Sequence, residues 1–120
     1  MQSNIVQVVE AGSVAPIQQA ELTVHVGNGA AVCQSGEGGK CNTISVCIGS
    51  ACIAPNANYD ASFQIDTDTA YRITASATTL YKSGAMTCED TYAGVTDYTS
   101  STAAQQTAYI SLSLTGHRCF

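Results

Sequence analysis

Apolar and polar residues alternate along most of this chain, and a period of two is the pattern of strands that bury one face. Leu22, Val24 and Val26 alternate with Glu21, Thr23 and His25, and Tyr59, Ala61, Phe63 and Ile65 alternate with Asp60, Ser62, Gln64 and Asp66. The pattern recurs through Ile44, Val46 and Ile48, through Tyr71, Ile73 and Ala75, and through Ala108, Ile110, Leu112 and Leu114. Further strands are expected at residues 4–9, 80–82 and 92–95, with turns at Gly27-Asn28-Gly29, Pro55-Asn56, residues 66–69 and Gly84. Helical periodicity is nearly absent, and residues 101–106 are the one stretch expected to form a helical turn. About seven to nine short strands at this spacing predict an all-β fold, a single antiparallel β-sandwich.

Six cysteines restrain that sandwich, and their number points to an oxidising compartment and up to three disulfides. No two of them have the two-residue separation that structural zinc sites favour. In Cys47-Ile48-Gly49-Ser50-Ala51-Cys52, Gly-Ser suits the two central positions of a type II′ hairpin turn. Ile48 and Ala51 then form the first hydrogen-bonded pair, and Cys47 faces Cys52 at a non-hydrogen-bonded position, with Cα atoms about 4.5 Å apart, within disulfide range. Cys33 and Cys41 flank a glycine-rich tip that a second bridge would close, which leaves Cys88 for Cys119; the spacing by itself leaves other connectivities open. By alternation Ile44, Val46, Ile48, Ala51 and Ile53 share one face and Cys47 and Cys52 the other, so this bridge is expected to clip the outside of its hairpin.

Composition narrows the class of partner. Of 120 residues 45% are hydrophobic, enough for a true core in one domain, while only 11% are charged, so Ser, Thr, Gln, Asn and Gly must make the surface. Lys40, Arg72, Lys82 and Arg118 are the only Lys or Arg residues and the net charge is −5, which excludes a basic footprint for nucleic acid. No stretch approaches the roughly 20 apolar residues of a membrane span. The first residues, Met-Gln-Ser-Asn, lack the basic and apolar regions of a signal peptide. An oxidised destination then implies a leader already removed, or a virion protein that keeps its own Met1. The expected location is extracellular or at a cell surface.

Chemistry-bearing motifs are few. The chain has no His-Glu-x-x-His, no Gly-x-Ser-x-Gly and no phosphate-cradling glycine loop, since Gly36-Glu-Gly-Gly-Lys40 lacks the spacing and the Ser or Thr that follows. His25 falls on the polar side of its strand, and His117 lies between Gly116 and Arg118 beside Cys119. Asp66 and Asp68 resemble the start of a calcium loop without its Gly and distal Glu, and read better as a hairpin turn. Glu89 and Asp90 are sequence neighbours, so on a strand they point to opposite faces and make a poor acid–base pair. No catalytic group, metal site or cofactor is nominated, and the chain is not expected to be an enzyme. Tyr59, Tyr71 and Tyr81 fall near core positions. Tyr92, Tyr98 and Tyr109 are expected to face outward, where tyrosines suit sugar stacking or subunit contacts.

Residues 59–65, a turn, Ala70-Tyr71-Arg-Ile-Thr-Ala-Ser76, then Leu80-Tyr81 and a closing Tyr109-Ile-Ser-Leu-Ser-Leu114 resemble the prealbumin-like sandwich of carboxypeptidase regulatory-like and collagen-adhesin B-type repeats. That resemblance implies a structural, spacer or adhesive role without catalysis; the cysteine block at residues 33–52 is a departure from it. The composition and the Cys-x4-Cys hairpin are also similar to enediyne-binding apoproteins, with the cysteine loops in a different order.

Residues 1–19 form a separate N-terminal strand segment before the stapled body at 20–120. Its Ile5, Val6, Val8 and Val9 are candidates for an assembly strand exchanged with a neighbouring subunit, against the alternative of pairing within its own sheet. Two functions follow: an extracellular structural protein, such as a filament, pilus-like or surface subunit assembling through β-strand pairing, or a monomeric secreted module binding a carbohydrate, a small molecule or a host protein, including a toxin or effector.

Overall fold

The computed structural model describes residues 18–34 and 43–120. In chain order they form β1 (Gln19–Val26), α1 (Gly29–Gln34), β2 (Thr43–Ile48), β3 (Ala51–Ile53), β4 (Asp60–Asp66), β5 (Ala70–Ser83), β6 (Met86–Thr99), β7 (Gln105–Ile110) and β8 (Ser113–Cys119). The chain is all-β, arranged as a three-stranded sheet in the order β4-β1-β7 and a five-stranded sheet in the order β3-β2-β5-β6-β8. Alternation explains the strands directly: Ala20, Leu22, Val24 and Val26 of β1 are buried, as are Ala61, Phe63 and Ile65 of β4 and Ala108 and Ile110 of β7. Val46 of β2 and Ile73, Ala75 and Ala77 of β5 join them in one apolar cluster. Each fully buried Leu, Ile or Val contributes roughly 1.5–3 kcal/mol relative to exposure.

One pairing departs from the antiparallel rule. β1 and β4 run antiparallel, with Leu22 opposite Phe63, but β1 and β7 run parallel, with Val24 opposite Ala108. A parallel pair needs a crossover rather than a hairpin. Here the chain between β1 and β7 builds β4 and four strands of the five-stranded sheet before returning, and β8 completes that sheet afterwards.

Several boundaries differ from the sequence expectation. The segments expected at 71–75 and 80–82 are one strand of 14 residues, β5, because Ala77 and Thr79 continue the inward series with side chains too small or polar to show in a hydrophobicity pattern. The alternation of Ala108, Ile110, Leu112 and Leu114 is divided between β7 and β8, where the chain passes from one sheet to the other. Gly94 makes that passage possible, since a Cβ there would collide with the carbonyl oxygen of Ser111. The helical turn expected at 101–106 does not form: Gln105 and Gln106 pair with Glu21 and Leu22 in the parallel ladder. Among the described residues the helix is instead α1, six residues long and too short to register as periodicity.

The hairpin reading of the cysteine block holds. Gly49 has φ 60°, Ile48 faces Ala51, and Cys47 is bonded to Cys52 with Cα atoms 4.1 Å apart. Val46 is buried while Cys52 is exposed, so the bridge does lie on the outside. Cys88 and Cys119 form the second bridge, with Cα atoms 4.0 Å apart. Cys33 is disulfide-bonded as well; its expected partner Cys41 lies outside the described residues, as do Ile5, Val6, Val8 and Val9. Among the described residues no helix is long and apolar enough to cross a membrane.

Candidate functional site

Strand edges are where a sheet meets a partner chain, because they present backbone N–H and C=O groups without a ladder. β1 has no such edge, being flanked by β4 and by β7. The Glu21 amide donates to the Ala104 carbonyl and the Gly27 amide to the Ile110 carbonyl, both at 2.9 Å. In a parallel ladder this spacing directs the backbone of Gln106, Ala108 and Ile110 toward β1. The N–H and C=O of Gln105, Thr107 and Tyr109 therefore point to the far edge of β7, which no described strand pairs.

The other outer edges carry protection that β7 lacks. β3 is three residues long and stapled by Cys52; β4 begins and ends with Asp60 and Asp66; β8 carries His117 and Arg118 and pairs through a bulge at Thr91/Tyr92. Short length, charge and bulges each discourage strand addition. The β7 sequence, Gln-Gln-Thr-Ala-Tyr-Ile, has no charge and no proline. Its start is rigid. The Gln106 amide accepts from the Tyr98 hydroxyl (2.6 Å) and the Ser101 amide (2.9 Å), and donates to the Ser101 and Ala103 carbonyls (2.9 and 2.8 Å). At the other end Asn28 makes reciprocal bonds with the Leu112 backbone, at 2.7 and 2.8 Å.

Both histidines meet an aspartate and a tyrosine, on different sheets. On the outer face of the three-stranded sheet, the His25 Nδ1 lies 2.6 Å from an Asp60 carboxylate oxygen across the β1–β4 ladder, and the Tyr109 ring meets His25 edge-on at 6.0 Å. In the five-stranded sheet, the His117 Nδ1 lies 2.6 Å from an Asp90 carboxylate oxygen, and the Tyr81 hydroxyl reaches both Asp90 (3.4 Å) and His117 (3.3 Å). Burial, reinforced by the Asp90 carboxylate, pushes the Tyr81 hydroxyl above the ordinary tyrosine value. Near His117 the sulfur is that of Cys119, 3.7 Å away and already bonded to Cys88, so it offers no thiol nucleophile. Asp90 serves this cluster while Glu89, on the opposite face, pairs with Arg118 at 2.8 Å. Among the described residues no three His, Cys, Asp or Glu side chains converge as a metal site. Asp68 sits in the β4–β5 turn with φ 52°.

The tyrosines divide differently from the expectation. Tyr92 and Tyr98 are half-buried against the apolar cluster, because their positions on β6 face the other sheet, and the Tyr98 hydroxyl is spent on Gln106. Tyr109, at 69% exposure, does face outward. The open β7 edge was missed in the sequence, although its signal, six residues without charge or proline, was present. What could not be read was which strand would lie outermost. Comparison with protein-family models, curated proteins and solved structures finds no match to the chain.

Proposed function

We propose that this chain is an extracellular or cell-surface structural protein, a filament, pilus-like or surface subunit that assembles through β-strand pairing between copies. The observation that carries the reading is the position of β1: both of its edges are taken within the described residues, by β4 and β7. Consecutive strands usually lie side by side. β1 therefore offers no free edge to the segment that precedes it, and that segment, with Ile5, Val6, Val8 and Val9, is the strand assigned in this proposal to a neighbouring copy. The Ser/Thr-rich surface carries few charges, and disulfides suit a structure that works outside the cell. A spacer or adhesive role is also what the prealbumin-like resemblance implies.

A monomeric binding module is the second reading, favoured by Tyr109 standing exposed beside His25 and Asp60, an aromatic face with polar neighbours suited to a carbohydrate or protein ligand. Negative-stain electron microscopy of the native protein separates the two. Filaments or sheets are expected; particles of single-subunit size at high concentration would sink the assembly reading.

A further inference from the structure

We infer that the acceptor for the exchanged strand is the far edge of β7, and that its occupant is residues 4–9 of a second copy of this chain. The inference rests on the assembly reading and adds to it the surface on which assembly occurs.

The geometry matches in length, charge and position. β7 has six residues, and so does the run Asn4-Ile5-Val6-Gln7-Val8-Val9; neither carries a charge or a proline. The outward N–H and C=O groups of Gln105, Thr107 and Tyr109 provide the ladder for such a strand. β7 lies over β6, as the Tyr98–Gln106 bond and the Gly94–Ser111 approach show. β7 is the outermost described strand of its sheet, and β8 is the neighbour of β6 in the other sheet. There Leu114, paired with the half-buried Tyr92 and so on the same inward-looking face, is 57% exposed.

Thr107→Pro tests the acceptor in the full-length chain. The Thr107 amide points away from β1, so the substitution leaves the internal ladder intact and removes the central donor from the open edge. Gln105→Lys/Thr107→Lys places charge on the same edge without touching the backbone and serves as the second variant. Both are expected to keep the wild-type circular dichroism spectrum and to raise the critical concentration for assembly by roughly tenfold or more. A photo-crosslinking phenylalanine analogue at Gln105, in a mixture of isotope-labelled and unlabelled chains, is expected to join residue 105 of one copy to residues 4–9 of another. Assembly unchanged in both variants, with cross-links elsewhere, overturns the β7 acceptor and leaves strand-paired assembly standing. Cross-links confined to single chains overturn the second-copy occupant. A wild-type chain that never assembles overturns the acceptor and the assembly reading together.

Discussion

The two halves of the β5–β6 hairpin are held by different forces. In the half nearer the three-stranded sheet, Tyr71, Ile73, Ala75, Ala77, Tyr92 and Tyr98 all belong to or pack against the apolar cluster. In the other half, residues 79–90, and in β8 beside it, no described residue belongs to that cluster. That arm is joined by the Cys88–Cys119 bridge, by the Asp90, His117 and Tyr81 contacts, by the Glu89–Arg118 pair and by a Lys82–Thr87 hydrogen bond. The contrast shows what the cysteines are for. Cys88–Cys119 fastens the arm that the apolar cluster does not reach, whereas Cys47–Cys52 clips the outer face of an edge hairpin whose Val46 is in the cluster and whose Ile44, Ile48 and Ile53 pack against it, so neither bridge stands in for a core.

The comparison breaks or sharpens under three measurements. Leu22→Ala, in the centre of the three-stranded sheet and fully buried, is expected to cost about 2–5 kcal/mol by urea denaturation. A cost under about 1 kcal/mol would mean that the body does not rest on its apolar core. Cys88→Ala with Cys119→Ala is expected to cost about 2–4 kcal/mol, and to act locally. Hydrogen exchange should quicken in residues 79–90 and 113–119 while β1 and β4 stay protected; equal loss everywhere would show one cooperative unit and erase the distinction.

The smallest effect concerns Tyr81. Its folded value is raised above the ordinary tyrosine value, through burial first and the Asp90 carboxylate second, so the neutral hydroxyl is the form the arm favours. The resulting stabilisation is complete below the ordinary tyrosine value and is lost as pH rises through the raised one. In an alkaline titration followed by tyrosinate absorbance, Tyr81→Phe should remove a late component. If an early component disappears instead, the polar account of the arm is wrong.

Much of the fold was legible because burial is periodic. Leu22, Val24 and Val26, or Phe63 and Ile65, declare both a strand and its inward face. The Cys47–Cys52 pairing was legible for a second reason, since Gly49-Ser50 sets the register over a few residues. Where the inward residues are alanine and threonine, as at Ala77 and Thr79, the pattern fades and one long strand reads as two. At Gln105 and Gln106 local preference was overridden by a ladder with a strand more than eighty residues earlier. Tyr92 and Tyr98 were misplaced because a position on a strand does not say whether a second sheet covers it.

The sequence alone determined the all-β class, the inward and outward faces of its strands, the stapled hairpin at residues 47–52 and the absence of a basic surface. Each of these is set by neighbours along the chain or by composition. Tertiary structure decided the order of the strands: that β1 lies between β4 and β7, that β7 ends its sheet with Gln105, Thr107 and Tyr109 turned outward, and that His117 meets Asp90 and Tyr81. Which strand becomes an edge depends on contacts between distant segments, and period-two alternation is the same in a central strand and in an outermost one.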